Sequence, residues 1–282
     1  MEPPAASSYR QKAEAMTPFP LLISIPHGGT AIPNELTGHI SIGKKDLFDD
    51  MDPFTREIYE PGDRAVGIVA ADIARAFIDL NRSPDDLPPA NPDGIVKSMT
   101  CYKKAIYIKG KEPGESMGRI LIDKYYLPYH RKIKEIIETG EVHLALDCHS
   151  MAASPPPIAP DRVRDRQKKR PLICLGNVHG KACPPEMAER LADCFREAFL
   201  LEKEDVSVNE PFAGGYITRT YGNNPVPWVQ VEMNRLLYLS SPWFDPVALT
   251  VDNRRLTQLN NRFKEVLECY FKKSNISWSK RR

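Results

Sequence analysis

Short apolar runs alternate with amphipathic stretches along most of the chain. Residues 21–25, 66–70, 76–80, 142–146, 172–175 and 226–231 are β-prone and largely apolar, and turn or polar residues bound them. Short runs of this kind predict strands buried on both faces. Residues 116–139 instead set Ile120, Leu127, Ile133, Ile136 and Ile137 at helical spacing, with Gly140 as a stop. Pro128 falls inside that stretch and predicts a kink or a division of the helix. Helices are also expected over 185–201 and 246–271, the second with Leu249, Leu256, Leu259, Phe263 and Leu267 on one face. Strands alternating with helices predict an α/β fold: a mixed, mostly parallel central sheet with helices on both faces.

The flanks read differently. Residues 1–17 mix Pro, Ala and Ser with charges and predict a loose arm; 274–282 end in Lys280-Arg281-Arg282 and predict a basic tail. The 18–273 region between them is expected to form a single catalytic domain. The Pro-rich stretch 154–160 and the basic run 162–170 read as a solvated loop. Thirty-nine basic residues against 37 acidic leave a formal charge of +2, which argues against strong attraction to nucleic acid or membrane. No apolar stretch approaches the ~18 residues of a transmembrane helix. The N-terminus lacks the basic and apolar regions of a secretory signal. Six scattered cysteines without a CxxC pair suit a reducing compartment, so a cytoplasmic location is expected.

Ligands of open α/β sheets gather beyond the carboxyl ends of the strands, so the polar residues there carry the candidate chemistry. The first run leads into Pro26-His27-Gly28-Gly29, the fourth into Asp147-Cys148-His149-Ser150 and the last into Glu232-Met233-Asn234. The 76–80 run leads into Asn81-Arg82. Two imidazoles and one carboxylate, with a position left for water, are what a catalytic zinc requires. Asp147, two residues before His149 and so on the same strand face, fits an orienting partner of that imidazole. The acidic stretch Asp46, Asp49, Asp50 and Asp52 offers four candidates for a third ligand, and also reads as a solvated helix start. Cys148 neighbours His149, but adjacent strand residues point to opposite faces, which disfavours a thiol nucleophile.

Five segments in this order resemble the N-formylglutamate amidohydrolase family: Ser24 to Gly29, Asp79 to Asp86, Asp147 to Ser150, Gly214 to Gly222 and Gln230 to Glu232. Each is short; their order over residues 20 to 240 makes the resemblance specific. It implies a zinc-carboxypeptidase-like fold, one zinc ion on His27, Asp52 and His149, and Glu232 as general base. Pro53 stands where many members carry an aromatic residue, which keeps Asp50 as the alternative ligand. The resemblance further implies a small carboxylate-bearing substrate gripped by Asn81 and Arg82, with Arg219 as a second cation and Tyr216 as a hydrogen-bond donor or packing residue. His130 is a candidate supporting group. The implied reaction is hydrolysis of an N-formyl or N-acyl amino acid in amino-acid metabolism, in histidine degradation for the glutamate derivative. A carboxypeptidase-like peptidase, a deacylase of another acylated acid and a non-catalytic metal-binding protein are the alternatives.

Overall fold

The computed structural model describes residues 17–88, 90–159, 161 and 169–274. Apart from residues 17, 169, 170 and 274, the arm, the basic run and the tail expected from sequence lie outside the described residues. The first strand, β1 (Phe19–Ile25), is followed by two short helices, α1 (Lys44–Asp50) and α2 (Thr55–Tyr59), then β2 (Ala65–Ala70). Helices α3 (Glu115–Leu121) and α4 (Leu127–Glu138) lead to β3 (Leu144–Met151) and β4 (Ile173–Gly176). Then come α5 (Pro185–Phe199), β5 (Val206–Val208), α6 (Tyr216–Tyr221) and β6 (Trp228–Asn234). The small β7 (Phe244–Asp245) and β8 (Thr250–Val251) precede the final helix, α7 (Asn253–Lys273).

Six strands form one sheet in the order β2-β1-β3-β6-β4-β5. All neighbours pair parallel except β4 with β6, so the sheet is mixed and mostly parallel. Strand alternation sends Leu21, Ile23, Leu144, Leu146, Cys148, Val229 and Val231 into a core shared with α5 and α7. Leu22, Ala145 and Trp228 point the other way, into a core shared with α4 and α6. Helices thus cover both faces, and the residues packed under them are mostly apolar. In β2, Gly67 lets α4 come close, since a Cβ there would stand 2.7 Å from the Ile136 side chain.

Several expected elements differ. Residues 76–80 join no ladder: they are buried, but as a turn-rich segment tied by the Asp79 N–H to the Ile95 carbonyl at 2.8 Å. An apolar run demands burial, and hydrophobicity alone does not say whether a sheet supplies it. The helix expected over 116–139 is α3 and α4 joined by a π-turn over residues 122–126. Pro128 lies in the first turn of α4, and the widened turn before it absorbs the backbone hydrogen bond that proline cannot donate. The last helix starts at Asn253 rather than 246, because Asp252 caps it by accepting the Arg254 N–H at 2.8 Å. Before it, Asp245 accepts the Val247 and Ala248 N–H groups and turns the chain between β7 and β8. All six cysteines are free thiols, and no helix among the described residues is long and apolar enough to cross a membrane.

Candidate active site

The polar residues of the middle strands lie on one face and near one end. On β3 the face towards α4 and α6 reads Ala145, Asp147, His149; on β6 it reads Trp228, Gln230, Glu232. Moving along either strand, the same face turns from apolar to polar and ionisable. His149 pairs with Glu232 in register, so both lie inside the ladder, since β3 runs on to Met151 and β6 to Asn234 rather than stopping before them. Cys148 faces the opposite core, where burial raises its thiol well above the usual value, in keeping with its exclusion as a nucleophile.

From the end of β1 the chain turns through Pro26, and His27 comes to lie beside His149. The His27 carbonyl accepts the Asp52 N–H at 3.1 Å, which brings the exit of α1 over the same point. The Nδ1 atoms of the two histidines are 3.1 Å apart, and Asp52 Oδ2 lies 3.1 Å from His149 Nδ1 and 3.5 Å from His27 Nδ1. All three side chains are buried. The outer nitrogens rest on carboxylates: His27 Nε2 on Asp79 Oδ1 at 2.7 Å and His149 Nε2 on Asp147 Oδ2 at 3.2 Å. Carboxylates there accept the Nε2 protons and turn both Nδ1 lone pairs towards Asp52. Two lone pairs and a carboxylate oxygen packed so closely make an electron-rich nest that suits a divalent cation, and the donor set fits zinc.

Electrostatics reinforce this picture. Burial by itself would raise the Asp52 carboxyl, but the adjoining His149 and His27 and the charge of Arg235 hold it well below the usual carboxylate range. Asp79 is likewise held low, with Arg75 and His27 overcoming its burial. Glu232 behaves oppositely: burial dominates and pushes its carboxyl up to about 7. Its Oε1 accepts the Gln230 amide at 2.8 Å, and Gln230 in turn accepts the Gly215 N–H. A carboxyl that exchanges its proton near neutrality has the property a general base needs.

The other acids of the 46–52 stretch take different positions. Asp50 turns into the protein, where its carboxylate accepts the Cys101 N–H at 2.9 Å and pairs with buried Lys97 at 3.1 Å. Asp49 pairs with Lys45 on the surface of α1. Asp52 is thus the acid brought to the histidines. The glycines after His27 answer to close neighbours, a side chain at Gly28 and backbone at Gly29. A Cβ on Gly28 would stand 2.8 Å from Thr55 Oγ1, and one on Gly29 would stand 2.4 Å from the Ile73 carbonyl.

A cleft of about 660 Å³ opens over these residues and is also lined by Asn81, Arg82, Tyr216 and Arg219. Asn81 Oδ1 accepts the Ile217 N–H at 2.7 Å, which fixes its Nδ2 3.2 Å from His149 Nε2. Gly215 makes this approach possible, since a Cβ there would fall 2.3 Å from Asn81 Nδ2. Because 76–80 is not a strand, alternation does not separate Arg82 from Asp79, which lies 3.8 Å from its Nε. The acid that engages Arg82 is Asp93, through its Oδ2 at 2.7 Å and its carbonyl at 3.0 Å, and neither Asp85 nor Asp86. Arg219 is exposed, and among the described residues it is anchored by Nε on the Gly214 carbonyl at 2.9 Å. Tyr216 opens α6 instead of filling a strand face, and its ring lies 6.0 Å from that of His130. His130 sits beneath the cleft, bound to the Leu80 carbonyl at 3.0 Å and the Tyr221 hydroxyl at 2.9 Å, so it supports the turn that carries Asn81 and Arg82.

Sequence reasoning passed over two partly buried cations. Arg75 binds Asp79 Oδ2 at 2.7 Å, behind His27, and Arg235 binds Asp52 Oδ1 at 3.0 Å. Their only sequence signal is proximity, four residues before Asp79 and three after Glu232.

Residues 19–239 match the family model described as N-formylglutamate amidohydrolase. The chain is 27% identical over 250 residues to N-formylglutamate deformylase of Pseudomonas putida, covering 86% of this chain and 89% of that protein. Its fold is similar to N-formylglutamate amidohydrolase from Ralstonia eutropha JMP134, with a TM-score of 0.73 at 22% identity over 90% of this chain and 94% of the other. A gene product of Agrobacterium tumefaciens gives a TM-score of 0.61 at 16% identity over 91% and 90% of the two chains. With most of its length matched and a buried His-Asp-His cluster beside the carboxyl of Glu232, the chain belongs to the N-formylglutamate amidohydrolase family and is a hydrolase of amide bonds.

Proposed function

We propose that this chain hydrolyses N-formyl-L-glutamate, or a closely related N-acyl amino acid, to the free carboxylic acid and the amino acid, with one zinc ion held by His27, Asp52 and His149. The observation that carries the reading is the convergence of those three side chains opposite Glu232, in a cleft that also carries arginines. A zinc ion bound there supplies Lewis acidity, lowering the pKa of a water and polarising the amide carbonyl. Asp79 and Asp147 hold the imidazoles in the tautomer that leaves Nδ1 free to bind. Glu232 accepts the proton of the attacking water and hands it to the nitrogen as the C–N bond breaks, so the amine leaves neutral. Six free thiols suit the cytoplasm as the place of work. Formate release from N-formylglutamate by the metal-loaded protein, and its loss on chelation, tests the reading; release unaffected by full metal removal would sink it.

Arg82 takes the substrate carboxylate in this reading. Asp93 occupies the Nε and Nη2 edge of its guanidinium, and no hydrogen bond among the described residues engages Nη1. A charge-assisted hydrogen bond contributes ~1.5–3 kcal/mol, roughly ten- to a hundredfold in kcat/KM. Arg82→Ala is therefore expected to slow a free-acid substrate by that factor and to leave its neutral amide nearly unaffected. Kinetics on the matched pair check this. Equal slowing of both substrates would reduce Arg82 to a structural partner of Asp93. Arg219 and Tyr216 complete the substrate contacts, and Asn81 holds the turn in place.

A further inference from the structure

The two oxygens of Asp52 have different partners. Oδ2 faces both histidines and accepts the Ser150 N–H at 3.2 Å, while Oδ1 is bound by Arg235 Nη2 at 3.0 Å. Arg235 follows β6 directly, so the strand that carries Glu232 also delivers this guanidinium. Its remaining donors are spent on the surrounding backbone and β3. Nη1 donates to the Asp49 carbonyl at 3.0 Å, Nη2 also donates to the Met51 carbonyl, and Nε donates to Ser150 Oγ at 3.0 Å. One rigid fork therefore ties the exit of α1, the residue after His149 and the carboxylate of Asp52 into one unit.

We propose that Arg235 is the positioning residue that commits Asp52 to one-oxygen metal binding, leaving a position beside Glu232 free for water. The inference rests on the metal site of the proposed function. Without the fork, residues 49–52 keep the Asp52 N–H bond to His27, the Thr55 hydroxyl on the Asp52 carbonyl at 2.8 Å and the Asp50 contacts, but no other hydrogen bond among the described residues holds Asp52 Oδ1. Asp52 would then be free to turn both oxygens towards the metal. Two physical effects of the guanidinium on metal affinity have opposite signs. Its fork orients Asp52 and favours binding, whereas its positive charge, 3.0 Å from a ligand carboxylate, disfavours a second cation.

Arg235→Lys separates them, because lysine keeps the charge but cannot serve four acceptors on two different segments. Groups that orient metal ligands are typically worth ~10–100-fold in metal affinity. Zinc affinity, measured by competition with a chromophoric chelator, is expected to fall by about that factor in Arg235→Lys. The cobalt-substituted variant is expected to lose absorption intensity relative to cobalt-substituted wild type, as a second Asp52 oxygen raises the coordination number. Wild-type zinc affinity together with an unaltered cobalt spectrum would overturn the proposal. If Arg235→Lys does not fold, Ser150→Ala removes one acceptor of the fork, and zinc affinity a few-fold below wild type is expected; an unchanged value overturns the inference. Failure of the metal site itself reads out differently: wild-type protein would then bind no stoichiometric zinc at all, and both readings would fall together.

Discussion

Glu232→Gln is expected to lower kcat by ~10²–10⁴-fold while leaving the fold and the metal content unchanged. The amide keeps the volume of the side chain and one oxygen to accept the Gln230 amide, so the packing around β6 has no reason to move. What it loses is the ability to take a proton and give it back. Burial sets the pKa of this carboxyl at about 7, and the base must be ionised to act. Activity therefore falls as pH drops through that pKa, which produces an acidic limb in kcat/KM. A divalent cation bound beside Glu232 stabilises its charged form, so the limb of the loaded enzyme lies at or below neutrality. Steady-state kinetics and metal analysis on the purified variant check the result. Turnover at the wild-type level would mean that another group accepts the proton.

The architecture was largely legible because the signal for it is hydrophobic. Five of the six apolar runs became strands of the central sheet, and the alternation argument that turned Cys148 away from His149 held because both residues lie in a regular ladder. The run 76–80 misled because burial and strand formation give the same apolar pattern; here the segment folds beside the end of the sheet and delivers Asp79 and Asn81 to the two histidines. The acid partner of Arg82 was not legible either: Asp93 lies eleven residues away, beyond the reach of any local rule. The cluster of His27, His149 and Glu232 was readable because each sits at or just past the end of an apolar run. Arg235 was not, because nothing in the local sequence says that a residue after β6 reaches back to the exit of α1.

His27→Ala, His149→Ala and Asp52→Ala should each lose the bound metal and, with it, activity. Each removes one of three donors to a single site, and a binding site that leaves one position to water has no spare protein ligand. Asp50→Asn is the informative control, because Asp50 is the other acid that sequence reasoning left open. Its carboxylate lies against Lys97, whose amine is fully buried and also pairs with Asp93 at 2.7 Å. Removing one partner of a buried ion pair is strongly destabilising, on the order of 3–5 kcal/mol, and the second carboxylate of this triad reduces that cost. Asp50→Asn should therefore unfold at lower denaturant concentration yet bind one metal ion per chain, while Asp52→Ala should bind none. The contrast has a physical basis: one acid faces a lysine in the interior, and the other faces two imidazole lone pairs. Metal content by atomic absorption, set beside denaturant melts of the same preparations, decides the matter. Full metal occupancy in His27→Ala and His149→Ala, or metal loss in Asp50→Asn with retention in Asp52→Ala, would show that the ion is held elsewhere.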